Sequence, residues 1–447
     1  MSIKAVADGA VSCLMRRYLS PFWIRRRQLA RTQWYDAEAL NRLQMDLLQR
    51  LLKHCYTTVP HYRTLMDGLH LKPEDVKRLD DIRVFPTLTK QQVLAAGDAL
   101  VSRRYPRWLC RTAYTGGTTG TPLTLRRALF SIGNEHAFVR RQYDWAGIRL
   151  TDRCAFLTGR LVARPDQTHS LYAYDPFMNE LILSTYHLSP QTAREYAQVM
   201  REYRVKAVVG YPSAVHLLAR ACQDGGPKLS LSAALTSSEV LTDAMRRTIE
   251  STFGCRVFDF YGSAERVCYI HTCEAGTYHI VPEYGLTELL PVEGEEPNRC
   301  RVVSTGFWNP AMPLVRYDSG DIVIRKDQSC TCGRAFPAIA RIVGREGDCV
   351  VTPSGRQFGA AILTHLLYGT GNLLESQIVQ DTPDHVRIDY VPASNFSEEN
   401  MSAFRGLIAM HLPAELHVDF RKVEAVERTQ SGKIRPVLSQ IGVPVDR

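Results

Sequence analysis

Nine residues, Tyr114-Thr-Gly-Gly-Thr-Thr-Gly-Thr-Pro122, hold three glycines and four threonines. Glycine admits positive φ and lets a ligand approach the main chain closely, so Gly116, Gly117 and Gly120 suit neither a helix nor a strand. Successive N–H groups in such a turn form a concave anion nest, and the hydroxyls of Thr115, Thr118 and Thr119 add donors at its rim. Phosphate is the chemistry this stretch suits. No Gly-Lys-Ser/Thr closes it, so it is not a Walker loop. On these residues alone, a mobile surface loop is the alternative.

Further polar residues sit where strands are expected to end. Val205–Gly210, Leu231–Thr236 and Cys255–Phe260 read as short apolar strands, with helices over about 213–223 and 241–252 between them. Strands alternating with helices of this length imply crossover units and a parallel sheet. The three strand ends carry Tyr211-Pro-Ser213, Ser237-Ser-Glu239 and Tyr261-Gly-Ser-Ala-Glu265. In open parallel sheets ligands bind outside the carboxyl ends of strands, so these residues form one wall of a crevice. Asp321, at a turn after an apolar strand, is an acceptor for vicinal hydroxyls such as a ribose, or else an ordinary turn-forming Asp. Lys433 lies in the polar loop Arg428-Thr-Gln-Ser-Gly-Lys-Ile-Arg435, where a solvated surface lysine is the alternative. Cys273, His279, Cys330 and Cys332 offer three thiols and an imidazole that would suit structural zinc. His271 is the substitute ligand. Reduced thiols with no metal are the other reading of the same residues.

The elements that must position these groups follow from the rest of the chain. At 447 residues it exceeds the size of a single core, and its 45% hydrophobic and 23% charged composition is that of a globular protein. Leu40, Leu43, Leu47, Leu48, Leu51 and Leu52 give residues 39–56 the spacing of an amphipathic helix. The Gly/Thr loop is flanked by residues 109–114 and 122–126 as strands of a hairpin. Beyond Glu265 the chain turns β-rich. Gly344-Arg-Glu-Gly-Asp348 is a charged link, with 345–348 as hinge. After it, residues 349–447 suit a small α+β domain, with strands near 375–380, 385–391 and 416–426 and a helix near 397–411. The fold class is therefore α/β: a large N-terminal domain over 1–344, with parallel-sheet units and a β-rich part, and a small C-terminal lid.

No apolar run approaches the ~20 residues that span a bilayer, and the start is too soon polar for a signal peptide. Twelve cysteines without secretion signals read as reduced thiols in a cytoplasmic protein. The formal charge of +9 is partly concentrated in residues 1–38. There Arg16, Arg17, Arg25, Arg26, Arg27 and Arg31 alternate with Leu14, Tyr18, Leu19, Phe22, Trp23 and Ile24. Such a segment suits peripheral contact with an anionic membrane, or a solvated helix packed on its own domain. No base-reading motif is present, which argues against nucleic acid.

The Gly/Thr loop, Tyr-Gly-x-x-Glu, Arg-Tyr-x-x-Gly-Asp, the Gly-Arg link and the terminal Ser-Gly-Lys occur in the order of the adenylate-forming ligase superfamily. That superfamily includes acyl-CoA synthetases, nonribosomal peptide adenylation domains and luciferases. Val59-Pro-His-Tyr-Arg63, the compact length and Cys330-Thr-Cys-Gly-Arg334 make the chain most similar to the phenylacetate–CoA ligase branch and its capsule-biosynthesis (CapK-like) relatives. The resemblance runs from about residue 40 to 440.

It implies a two-step reaction. A small-molecule carboxylate attacks the α-phosphate of ATP, giving an acyl-adenylate and pyrophosphate; a thiol of CoA or of an acyl carrier protein then displaces AMP. On this resemblance, Thr115–Gly120 hold the β- and γ-phosphates, and Glu265 binds Mg²⁺, a hard cation that takes oxygen ligands. Tyr261 stacks on adenine beside Gly262 and Ser263, with Ser237, Ser238 and Glu239 at the adenine edge. Asp321 takes the ribose, Arg345 belongs to the nucleotide site, and Lys433 bridges carboxylate and α-phosphate. The acyl pocket falls around Tyr143, Trp145, Tyr211, Pro212 and Ala214, suited to an aryl or other apolar acid. The lid would rotate about the hinge between the two steps.

Two departures stand out. Pro122 is followed by Leu-Thr-Leu where a lysine is usual, and Gly347 replaces the first Asp of the hinge. Two alternatives follow. One is an adenylating enzyme that passes the acyl group to an amine or hydroxyl; the other is a degenerate membrane-associated scaffold. Oligomeric state stays open, a homodimer included.

Overall fold

The computed structural model describes residues 21–114, 123–160, 162, 170–185, 187–293, 296–345, 349–353, 357–359, 372–412, 415–428, 434–439 and 441. The chain divides into two compact units. One comprises the chain through Ala146 and Phe260–Ile342, the other Gly147–Asp259 and the chain from Val343 onward. The division therefore runs through the stretch expected as one N-terminal domain.

The chain enters the first unit through helices α1 (Phe22–Thr32), α2 (Ala37–Thr58), α3 (Pro60–Gly68) and α4 (Lys90–Ala96). Asp36 starts α2 by accepting the Ala39 N–H at 2.7 Å, satisfying one of the donors a helix start leaves bare. Its leucine spacing then buries Leu40, Leu48, Leu51 and Leu52. The hairpin β1 (Cys110–Tyr114) and β2 (Thr124–Ala128) pairs antiparallel, with Tyr114 opposite Thr124, and leads to α5 (Ser131–Trp145).

In the second unit follow β3 (Cys154–Leu157), β4 (Tyr172–Asp175), β5 (Glu180–Leu183), α6 (Pro190–Glu202), β6 (Ala207–Gly210), α7 (Pro212–Gln223), β7 (Ala233–Ser237) and α8 (Asp243–Phe253). The expected alternation holds: β5, β3, β6 and β7 lie side by side and parallel, with β4 antiparallel at the edge. Right after β6, Pro212 at the first position of α7 starts that helix with its φ already set. Thr242 caps α8, and Gly254 ends it at φ +65°, a left-handed stop glycine adopts without strain.

Strand β8 (Arg256–Gly262) carries the chain back to the first unit, where β9 (Tyr269–Thr272), β10 (Tyr278–Ile280), β11 (Gly285–Pro291), β12 (Arg299–Gly306), β13 (Tyr317–Arg325) and β14 (Ala338–Arg345) are strongly β, as expected. Their order is β11-β12-β13-β14-β10-β9-β8. This unit buries one apolar cluster around Leu48, Leu52, Tyr62, Phe85, Ile270 and Val302.

From Val343 the second unit resumes with β15 (Cys349–Val351), β16 (Gln357–Gly359), β17 (Leu373–Thr382), β18 (His385–Pro392), α9 (Glu398–His411), β19 (His417–Lys422) and β20 (Val437–Ser439). The last four strands form a sheet in the order β19-β18-β17-β20. Ile378, Ile388 and Phe404 from this part share a core with Val208, Leu218 and Ile249.

Candidate active site

In the first unit the candidate site residues cluster at the end of β8. The Tyr261 hydroxyl donates to Asp321 Oδ2 at 2.5 Å and lies 3.3 Å from Ser319 Oγ. Burial, and then the Asp321 carboxylate, push the Tyr261 phenol well above its ordinary pKa, so it stays a donor. Four residues on, buried Glu265 accepts the Tyr317 hydroxyl on Oε1 at 2.9 Å. Tyr317, Ser319 and Asp321 thus face one way on β13, as the period of two along a strand requires. The sequence reading names Asp321 as a site residue and does not name Tyr317. The alternation through Arg-Tyr-Asp-Ser-Gly-Asp was the signal that could have found it.

Two glycines let the Glu265 turn sit where it does. A Cβ on Gly285 would lie 2.4 Å from the Val267 carbonyl oxygen and 2.7 Å from that of Thr305. One on Gly306 would lie 2.5 Å from the Arg266 carbonyl. Real side chains do not approach backbone so closely, so strands β11 and β12 carry glycine where the turn crosses them. Arg266 itself has φ +57° and donates to Ser131 Oγ at 3.1 Å, fastening the turn to the start of α5. Arg127, on β2, donates to the Ala264 carbonyl. Burial first, and then the charge of Arg266, lower its pKa to about 10. Neither arginine was singled out in the sequence.

In the second unit, β7 ends in Ser237, buried, and Ser238, held at φ +71°. Glu239 follows. Its Oε2 accepts the backbone N–H of Ser213 at 3.1 Å, and its Oε1 accepts that of Ile434 at 2.9 Å. Burial raises the Glu239 pKa, against the pull of these hydrogen bonds. Arg428 bridges antiparallel to Ile434, and the Gln377 amide donates to the carbonyls of Glu427 at 3.0 Å and Arg435 at 2.8 Å. The described residues on either side of Lys433, Glu427 and Arg428 before it and Ile434 and Arg435 after it, are therefore tied down. Lys433 itself, Thr115, Gly116, Gly117, Thr118, Thr119 and Gly120, and hinge residues 346–348 lie outside the described residues. Arg345 is the last residue of β14.

The residues expected for the acyl pocket are distributed over both units. Tyr211 is buried and its hydroxyl accepts the Gly159 N–H at 2.9 Å, with Pro212 and Ala214 buried in the first turn of α7. Trp145 stacks on His271, with ring centroids 4.3 Å apart, and under the Arg334 guanidinium at 3.8 Å. The Tyr143 ring lies 5.3 Å from the Arg140 guanidinium.

Folding brings Cys273, His279, Cys330 and Cys332 together, their ligand atoms all within 4.8 Å of one another. Cys273 Sγ is 3.6 Å from Cys330 Sγ, and Cys332 Sγ is 3.4 Å from His279 Nε2. These match the edges of a tetrahedron around zinc, ~3.8 Å between thiolates bound at ~2.3 Å. His279 Nδ1 faces the Phe336 carbonyl at 3.2 Å, which leaves Nε2 for a metal. His271 is not among the four; it is buried against Trp145.

A model of the CapK C-terminal domain matches residues 350–440. The chain is 24% identical over 368 residues to Protein CapK of Staphylococcus aureus, covering 81% of each. It is 27% identical over 336 residues to a phenylacetate-coenzyme A ligase of Thermus thermophilus, covering 70% of this chain and 72% of that one. Among solved structures it is similar to 2-hydroxyisobutyryl-CoA ligase in the postadenylation state, in complex with R3-HIB-AMP. That likeness has a TM-score of 0.67 and 17% identity over 95% of this chain and 93% of the other, and it speaks for the fold. The ordered motifs, the fold and these relatives together make the chain similar to the adenylate-forming ligases, in the branch of phenylacetate–CoA ligase and CapK.

Proposed function

We propose that this chain is an ATP-dependent, AMP-forming acid–thiol ligase acting on an aryl or other apolar carboxylate. The observation that carries the reading is the seat of Ile434 on Glu239, because it anchors the residue next to Lys433 at the carboxyl end of β7. In the first step a carboxylate oxygen attacks the α-phosphorus of ATP, and the bond to the bridging oxygen of pyrophosphate breaks. Lys433 offsets the negative charge shared by the carboxylate and the α-phosphate, which otherwise repel. The donors of Thr115–Gly120 hold the β- and γ-phosphates. Tyr261 gives adenine a flat face, Ser237, Ser238 and Glu239 its edge, and Asp321 accepts from ribose. In the second step a thiol, that of CoA or of a carrier protein, adds to the acyl carbonyl and AMP leaves.

A buried carboxylate with one oxygen taken by Tyr317 is the hard donor Mg²⁺ takes alongside phosphate oxygens. Glu265 would hold it, and the ion would supply charge neutralisation on the phosphates. The cysteine–histidine cluster fits zinc in ligand type and spacing. It would pin the turn after β9 to the loop of Cys330 and Cys332, a structural task with no part in the chemistry.

A second reading passes the adenylate to an amine or hydroxyl instead. Gly347 in the hinge and the match to the CapK C-terminal domain favour it. The experiment is carboxylate-dependent ATP–pyrophosphate exchange over a panel of acids, with Lys433→Ala as control. Exchange with one acid, abolished by the substitution, supports the reading; silence across the panel with ATP bound overturns it. AMP release stimulated by CoA or a carrier, against an amine or hydroxyl, separates the two acceptors.

A further inference from the structure

We infer that helix α1 is an interfacial anchor that lies along a bilayer surface bearing anionic headgroups, a role independent of the ligase chemistry. Its sequence, Phe22-Trp-Ile-Arg-Arg-Arg-Gln-Leu-Ala-Arg-Thr32, has four arginines and no acid. At 3.6 residues per turn, Trp23, Arg27, Arg31 and Ile24 span an arc of about 100°. Phe22 and Leu29 project from the opposite side and are 0% and 2% exposed, so the helix is fastened to its unit by that side.

The remaining arginines lock its rotation. Arg25 lies over the Trp308 ring at 3.6 Å, and Arg26 donates to the Asp144 carboxylate at 3.1 Å. The outward face is thereby set: Trp23 is 41% exposed, Ile24 66%, and Trp34, in the turn after the helix, 58%. Water is a poor medium for that face. At a bilayer surface, indole rings and an isoleucine enter the headgroup–acyl boundary while the arginine stems reach phosphate oxygens. The 11-residue helix is too short to cross, and no helix of the described residues is long and apolar enough to do so. It lies on the membrane, not through it. Leu14, Met15, Arg16, Arg17, Tyr18 and Leu19 continue the same composition upstream. An acidic protein, such as a carrier domain, would answer the arginines; the two tryptophans and Ile24 favour lipid.

The test is sedimentation of the full chain with vesicles of phosphatidylcholine alone and of phosphatidylcholine doped with phosphatidylglycerol. The chain pellets with the doped vesicles and stays in solution with the neutral ones. Arg27→Glu/Arg31→Glu and, separately, Trp23→Ala/Ile24→Ala each weaken partitioning by about tenfold or more, since both charge and apolar contact contribute. Both variants keep Phe22 and Leu29, so the thermal midpoint and ATP–pyrophosphate exchange stay at wild-type values. No pelleting with either vesicle, equal pelleting with both, or binding undiminished by the two variants overturns the inference. So does lipid-free capture by an acidic carrier protein that the arginine variant abolishes and the tryptophan variant leaves intact.

Discussion

Glu239 holds the backbone N–H of Ile434 on one carboxylate oxygen at 2.9 Å and that of Ser213 on the other at 3.1 Å. One side chain thus joins the end of β7, the start of α7 and the residue beside Lys433. Glu239→Ala should lower ATP–pyrophosphate exchange by about 100-fold, the cost of a catalytic group misplaced by an ångström. Glu239→Gln, which keeps one acceptor, should fall in between. Equal exchange in all three proteins would mean that this seat does not position Lys433.

Tyr317→Phe removes the hydroxyl that Glu265 accepts. A buried carboxylate then lacks a donor, at a cost of about 1–3 kcal/mol. The Mg²⁺ concentration for half-maximal exchange should shift, since the Tyr317 hydroxyl orients Glu265. A Mg²⁺ titration that superimposes on wild type would remove Glu265 from the metal.

Gly306→Ala and Gly285→Ala push a methyl group into backbone oxygens, 2.5 Å and 2.4 Å away respectively. Backbone cannot yield as a flexible side chain does. Each substitution should destabilise by about 3 kcal/mol and reduce exchange as well, because the displaced turn carries Glu265. Thermal unfolding alongside ATP–pyrophosphate exchange checks both.

Cys332→Ser and Cys273→Ser should each lose one equivalent of zinc per chain by elemental analysis and lower the thermal midpoint. His271→Ala should retain the metal, because His271 lies outside the ligand group. A chain purified with no zinc, and indifferent to added zinc, would contradict the assignment.

His216, on α7, is 5% exposed, and burial followed by the Arg220 charge lowers its pKa to about 3. The unfolded chain binds this proton below about pH 6.5 while the folded chain stays neutral there. Stability from this group is therefore present above pH 6.5 and lost as pH falls toward 3, at roughly 1.4 kcal/mol per pH unit. The stability difference between wild type and His216→Gln should narrow over that window. Denaturant midpoints measured from pH 7 to pH 4 read it directly.

Much of this protein is legible in one dimension, because local rules are written locally. The leucine spacing of α2, the strand–helix alternation from Val205 to Phe260, the polar strand ends and the order of the motifs all follow from period and neighbour. Cys273, His279, Cys330 and Cys332 were legible as a set because thiols and imidazole share a chemistry. What tertiary structure alone decided is which distant groups meet. No spacing rule pairs Tyr317 with Glu265 or Ile434 with Glu239, and none assigns the close approach of the Arg266 and Val267 backbone to Gly306 and Gly285. The same holds for α1: its composition allows a packed helix or a membrane face, and burial of Phe22 and Leu29 leaves Trp23 and Ile24 turned outward. Burial depends on the whole fold, so sequence names the residues and packing selects which side each one shows.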